Sequence, residues 1–316
     1  MAITRAVIPA AGKGTRLYPA TKSQAKEMLP LGTKPVIQHV VEELAASGIT
    51  EILIVTGQKK RAIEDHFDAD ASWMEVANGQ EVDAEVWQSG VRLFYTRQSE
   101  PLGLGDAVSR ARAFCERGPF VVALGDALVY KSLPGPAVIQ RLIETFEGRE
   151  AGGCVATYRV SREETRRYGI LGPAGAEEPT GEAPFLLSDL VEKPGPEKAP
   201  SHWAVSARYV LSPEIFDALE ECRKALQPGE ELQLTDAIRA LIGQGRAVYG
   251  VPLTPDEFRL DVGGFVSYGR AFTRMLVTHP KYGPRYLEYL RRLVAFCDGT
   301  GRDPDAWSAT GPQKPI

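Results

Sequence analysis

Short apolar runs alternate with helically spaced ones along the first 130 residues. "RAVIPA" (Arg5–Ala10) is a short β-branched run that ends in glycines. In "KPVIQHVVEELAASG", Val36, Val40 and Leu44 share one side, with Ile37 and Val41 beside them. That spacing predicts a helix, with Pro35 in its first turn and Gly48 as its stop. "EILIVT" (Glu51–Thr56) reads as a buried strand and "KKRAIEDHF" as a short helix. "VRLFYT" (Val91–Thr96) and "PFVVAL" (Pro119–Leu124) read as strands, with "LGDAVSRARAF" helical between them. Strand–helix alternation of this kind predicts a parallel, doubly wound sheet, hence an α/β fold with helices on both faces.

The pattern continues less regularly. "FLLSDLVEKP", "WAVSARYVL" and "RAVYGVPL" read as strands, and "PEIFDALEEC" and "TDAIRALI" as helices. Phe265 to Phe296 reads as helix in two pieces, broken near Pro280 and Pro284. Residues 68–90 form an acidic insertion, and 173–184 a loop that is flexible by composition. No repeat or interdomain linker interrupts the pattern. One domain over 1–299 is expected, with a flexible tail over 300–316.

Composition narrows the function classes. The formal net charge of -4 gives no reason to expect nucleic acid or an anionic membrane as partner. The four cysteines form no CxxC and the four histidines no HxxxH, so neither disulfides nor a thiolate zinc site is expected. With no apolar leader-like start and no run of 18 apolar residues, a cytoplasmic protein is expected.

Against this acidic background, "AGKGTRLYPATKSQAKEMLP" (Ala11–Pro30) is locally basic and rich in glycine. It leaves the carboxyl end of the first strand, where α/β folds bind ligands. Glycine lets backbone N–H groups approach phosphate oxygens. Arg16 and Lys26 add two cations, and together these features favour a polyphosphate site over a solvated turn. Leu17 occupies the third position of GxGxxG, which counts against a dinucleotide-dependent oxidoreductase.

Four other stretches carry candidate chemistry. In "VVALGDAL", Asp126 follows a buried strand at the same sheet edge as the glycine loop. A carboxylate beside phosphates calls for an intervening cation, and Mg²⁺ is the natural one. Asp261 in "FRLDVGGF" reads either as a second ligand or as an ordinary helix N-terminal aspartate. "LVEKP" places Glu192 and Lys193 at a strand end, suited to a sugar hydroxyl and a phosphate, or to a surface ion pair. "RQSEPLGLGDAV" offers Gln98, whose amide has both donor and acceptor for a base edge, and Gly103, against which a base can lie.

In their order along the chain these pieces, with "RYGI" and "ELQLTDAI", resemble the bacterial UTP–glucose-1-phosphate uridylyltransferases, a family of sugar nucleotidyltransferases. The resemblance runs to about Gly299. It implies a Rossmann-like doubly wound mixed sheet with C-terminal helices, and transfer of a uridylyl group from a nucleoside triphosphate to a sugar 1-phosphate. It implies that Ala11, Gly12, Gly14 and Arg16 line the triphosphate and that Lys26 lies against its phosphates. Gln98 and Gly103 would meet the base, and Asp126 and Asp261 would hold Mg²⁺. Gly169 and Glu192 would meet the sugar, and Lys193 its phosphate. A homodimer or homotetramer is implied as well. Asp106 stands where the family usually has histidine, Ala127 where a second acidic residue is frequent, His202 for asparagine and Ala207 for glycine. These departures bear on substrate choice and keep in view a thymidylyl- or other nucleotidyltransferase, or an enzyme for another sugar; a non-catalytic nucleotide-sugar-binding relative is a separate rival, and the presence of Asp126, Asp261 and Lys193 counts against it.

Overall fold

A computed structural model describes residues 2–68 and 90–304. The acidic insertion falls almost wholly outside the described residues, as does the tail from 305 onward. In chain order the strands are β1 (Arg5–Pro9), β2 (Pro30–Leu31), β3 (Lys34–Pro35), β4 (Glu51–Thr56), β5 (Arg92–Arg97), β6 (Phe120–Ala123) and β7 (Ala127–Lys131). Then come β8 (Gly153–Arg159), β9 (Gly169–Pro173), β10 (Phe185–Glu192), β11 (Trp203–Leu211), β12 (Val248–Pro252) and β13 (Glu257–Asp261). The helices are α1 (Val36–Ala46), α2 (Arg61–Phe67), α3 (Leu104–Ser109), α4 (Arg112–Cys115), α5 (Val138–Gly148), α6 (Ile215–Ala225), α7 (Leu234–Gly243), α8 (Phe265–Val277) and α9 (Gly283–Cys297).

Nine strands form one sheet in the order β5-β4-β1-β6-β11-β8-β12-β10-β9. The first four are parallel, as their alternation with helices requires. β11 then enters antiparallel between β6 and β8, so the second half of the sheet is mixed. Alternate side chains explain the two helical layers. Ile8, Ile54 and Val121 pack with α1, α2 and α5, whereas Val7, Val55 and Val122 pack with α3, α6 and α7. Because β1 and β6 are parallel neighbours, the glycine loop and Asp126 leave the sheet at the same edge; the Gly125 N–H donates to Pro9 O at 3.3 Å.

Apart from the sheet, β7 and β13 form a two-stranded ribbon lying on α8, with Leu128, Leu260, Val262 and Ala271 in its core. The sequence pattern does not reveal β2, β3, β7, β8, β9, β13 or α5. β8 and β9 are short, glycine-containing and buried on both faces, so they show no period-two alternation. Three boundaries also differ from expectation. Pro35 is the N-cap of α1, just outside the helix. The expected helix after Gly103 divides into α3 and α4. Pro284 lies in the first turn of α9 and does not interrupt it, because a first-turn proline loses no intrahelical bond.

The loop at 173–184 is pinned. Glu178 accepts from Arg159 Nη2 at 3.0 Å and from His202 Nδ1 at 3.1 Å, and Pro179 O accepts from Trp203 Nε1 at 3.3 Å. Beyond α9, Thr300 N–H donates to Ala295 O at 2.9 Å.

A bulge between Val205 and Tyr209 interrupts the pairing of β11 with β8. Within it Ala207 has φ +58°, the left-handed region in which a Cβ is costly. Its carbonyl accepts from Leu124 N–H at 3.1 Å, which ties the bulge to the segment leading to Asp126. Relief of the Cβ clash, about 1–2 kcal/mol, exceeds the roughly 0.5–1 kcal/mol of added unfolded-state freedom that glycine brings. Ala207→Gly is therefore expected to raise stability by ~0.5–1 kcal/mol in urea denaturation, and a lowered midpoint would contradict this account of the bulge.

Candidate functional site

The glycine loop turns on Gly14, at φ +68°, which is also bonded through its carbonyl to Thr21 Oγ at 2.8 Å. The chain then folds back through a short 3₁₀ turn at Lys26–Met28, so that Lys26 comes beneath the loop it follows in sequence. A Cβ placed on Gly12 would stand 3.4 Å from Lys26 Nζ, which shows how closely the lysine approaches the loop backbone. Lys26 Nζ pairs with Asp126 Oδ2. Burial alone would lower the Lys26 pKa, but Asp126 and Glu27 outweigh it and raise it. Burial likewise would raise that of Asp126, yet Lys26 and Arg259 hold it below the usual carboxylate range. Both groups are held charged.

The ribbon delivers the second aspartate. Ala127 and Asp261 are register partners, and Val262 N–H donates to Asp126 O at 3.3 Å. Asp126 and Asp261 thus meet at one end of β7/β13 despite their distance in sequence. Asp261 Oδ2 accepts from Gly263 N–H at 3.1 Å and from Ser267 Oγ at 3.3 Å, so it also shapes the turn into α8. Arg16 comes to this end too: a Cβ on Gly263 would be 2.7 Å from Arg16 Nη2 and 3.0 Å from Asp261 Oδ2.

Two further groups of candidate residues are each drawn together by the fold. Glu192 Oε1 pairs with Lys193 Nζ at 2.8 Å, and its Oε2 accepts from Thr235 Oγ at 3.1 Å. A Cβ on Gly169 would lie 3.2 Å from Glu192 Oε2, so Gly169, Glu192 and Lys193 are together. Lys193 has φ +46°, a strained backbone for a side chain-bearing residue, held by its N–H donating to Tyr168 O at 3.1 Å. Gln98 and Gly103 meet through the Gln98 Nε2 bond to Gly103 O at 3.1 Å. Gly103, at φ +108°, runs against Leu232, whose carbonyl oxygen would be 2.4 Å from any Cβ there.

Residues that the pattern did not single out complete the arrangement. Arg259 Nη2 lies 3.2 Å from Asp261 Oδ1, and its guanidinium is 5.2 Å from the ring centre of Tyr168 and 5.8 Å from that of Tyr158. Arg259 sits two residues before Asp261 on one strand, so period two placed it on the same face. Its Nε is buried with no hydrogen-bond partner among the described residues. Beneath Lys26, the buried Lys60 and Glu27 pair at 2.6 Å. Nothing local in the sequence marks that pair, which joins α2's leading edge to the 3₁₀ turn. Among the described residues, no group of three or more His, Cys, Asp or Glu is arranged to hold a metal by itself. No helix among them is long and apolar enough to cross a membrane.

Residues 5–277 match the family model for nucleotidyl transferases. The chain belongs to the nucleotidyl transferase family. Within this family it is 39% identical over 296 residues to the UTP–glucose-1-phosphate uridylyltransferase of Streptococcus pyogenes, covering 92% of this chain and 94% of that one. A UTP-bound UGPase from Acinetobacter baumannii superposes with a TM-score of 0.82 at 32% identity, over 92% of this chain and all of its own. A UDP-glucose pyrophosphorylase complexed with UDP-glucose gives 0.74 at 34%, over 86% and 98%. The mixed sheet of this nucleotidyltransferase is accordingly the family's fold.

The buried pair under Lys26 is testable. Removing one partner of a buried ion pair strands the other charge and typically costs about 3–5 kcal/mol. Lys60→Met is expected to lower stability by that amount, and Lys60→Met combined with Glu27→Leu to recover most of it. A single variant as stable as wild type in denaturant titration would show that the pair does not support the turn.

Proposed function

We propose that the chain transfers a uridylyl group from UTP to glucose 1-phosphate, giving UDP-glucose and pyrophosphate. The observation that carries the reading is the meeting of Arg16, Lys26, Asp126 and Asp261 at one sheet edge, in a chain 39% identical to enzymes of that name. The glycine loop (Ala11, Gly12, Gly14) with Arg16 and Lys26 takes the triphosphate. Gln98 and Gly103 take the base, Gly169 and Glu192 the sugar, and Lys193 the sugar phosphate. Residues 1–299 act as one catalytic domain.

The reaction joins two anions, and the residues fit that task. The phosphate of a sugar phosphate has a second pKa near ~6 and is largely dianionic at neutral pH, so its oxygen attacks without a general base. That suits a site whose titratable groups are paired carboxylates and cations. Lys193 would bring the attacking phosphate into line, while Arg16 and Lys26 stabilise charge on the α-phosphoryl oxygens and the departing pyrophosphate. The unpartnered Arg259 Nε offers a further donor.

Asp126 and Asp261 fit Mg²⁺, which takes one or two carboxylates together with substrate phosphates and water. Both are oxygen donors, each is paired with a neighbouring cation, and their backbones meet across one strand pair. When bound, the ion would neutralise phosphate charge that the side chains alone leave uncompensated. A cytoplasmic, homo-oligomeric enzyme is part of the reading. The exposed Phe265, Val266, Val294 and Phe296 on α8 and α9 support contact between copies there.

Removing a positioned cationic donor typically costs about 3–4 kcal/mol of transition-state stabilisation. Lys193→Ala is expected to lower kcat by roughly 10²–10³ in a pyrophosphate-release assay, and activity within threefold of wild type would remove Lys193 from the mechanism. Asp126→Asn is expected to abolish Mg²⁺-dependent release, and EDTA to do the same for the wild type; release persisting at ordinary Mg²⁺ would exclude Asp126 as a ligand.

A further inference from the structure

Gln98 carries an ambiguity that Asp106 resolves. A glutamine amide has one end that donates and one that accepts, and either end can face a ligand. Here Nε2 donates to Gly103 O at 3.1 Å and to Asp106 Oδ2 at 2.8 Å. Both of its protons are therefore committed inside the protein. Both partners are acceptors, a carbonyl and a carboxylate, so the flipped amide would set Oε1 against two oxygens. The chemistry of the partners, rather than the placement of two similar atoms, decides which way the amide points.

Asp106 can play this part only while ionised, and its surroundings ensure that. It is fully buried, and Oδ1 accepts from Arg223 Nη1 at 2.7 Å and from Arg110 Nη2 at 3.0 Å. Burial alone would raise its pKa, but the bonds from Gln98, Arg223 and Arg110 outweigh it and hold it below the usual range. Arg223 is kept in place by a second bond, Nη2 to Ser109 Oγ at 2.8 Å. A buried carboxylate with three donors is a costly feature, and in this chain it stands in front of the base-reading glutamine.

We propose that Asp106 is a positioning residue that turns the Gln98 amide so that only its acceptor oxygen is left for the base, and so selects uracil against cytosine. The inference rests on the reading above that Gln98 meets the base of UTP. On the Watson–Crick edge of uracil the sole donor is N3–H, because O2 and O4 accept and N1 carries the ribose. An acceptor-only Gln98 must therefore meet N3. Cytosine has a lone pair at that position, and two lone pairs would face each other in a dry site. A site built around a hydrogen bond rejects a ligand that cannot make it far more strongly than apolar contact does.

The test is the ratio of kcat/KM for UTP to that for CTP, with glucose 1-phosphate and pyrophosphate release as readout. In Asp106→Asn the two arginines claim the side-chain oxygen, which turns an NH₂ toward Gln98 and removes the constraint on its amide. Asp106→Ser serves if the first variant does not fold, since its hydroxyl also both donates and accepts. The expected result is a UTP:CTP ratio reduced by about tenfold or more, through a raised KM for UTP with kcat within about threefold, because the base lies away from the reacting phosphate. A ratio within twofold of wild type in a folded variant would overturn the proposal and leave Asp106 a structural anchor. Gln98→Leu should raise the UTP KM by a similar factor; an unchanged KM would overturn the inference through its premise, that Gln98 meets the base. Wild-type protein that releases no pyrophosphate from UTP and glucose 1-phosphate would instead overturn the proposed function, and this inference with it.

Discussion

A carboxylate drawn largely out of water needs a cation beside it, and the pairing of Asp126 with Lys26 meets that requirement across 100 residues of sequence. Much of the site follows from it. Lys26 can reach Asp126 only because the chain after Gly14 doubles back under its own loop. Asp126 is there to be reached because β6 lies parallel to β1, so both strands discharge their loops at one edge. The same pair keeps one cation and one anion charged and close together.

The remaining parts are tied to that edge by shared contacts. Arg259 touches Asp261 and stacks near Tyr168, and Tyr168 O holds the strained backbone of Lys193. Asp261 and Lys193 are thus linked through one tyrosine. On the other side, Leu232 N–H donates to Leu102 O at 2.8 Å while Gly105 N–H donates to Leu232 O at 2.8 Å. Three residues further on, Thr235 holds Glu192. The segment leading into α7, with the first turn of that helix, therefore positions both the Gly103 backbone and the Glu192 carboxylate. Strain at Lys193 and close approach at Gly103 are where local backbone preference yields to this geometry.

The four departures from the family's usual residues have separate structural consequences. Asp106 becomes a fully paired anchor for Gln98. Ala127 gives up a second acidic group, and its carbonyl accepts from Arg208 Nη2 at 2.8 Å. His202 joins Arg159 in holding Glu178 and its loop. Ala207 keeps the left-handed bulge that glycine would adopt more easily. Only the first of these contacts a residue proposed above to meet substrate.

Much of this was legible in the linear chain. Strong periodicity marked the parallel half of the sheet because each of those strands is flanked by an amphipathic helix, and β4 matches its expected limits, Glu51–Thr56, at both ends. Glycines beside Arg16 and Lys26, and aspartates after apolar stretches, marked residues that the fold does bring to one sheet edge. β8 and β9 escaped notice because strands buried on both faces lose the alternation that identifies them. Tertiary structure alone decided which charges meet. The partnership of Lys26 with Asp126, the convergence of Asp126 and Asp261, the insertion of Arg259 and the hold of Asp106 on Gln98 all depend on strand order, register and chain reversal. Those are set by packing across the whole sheet, and no local pattern of residues encodes them.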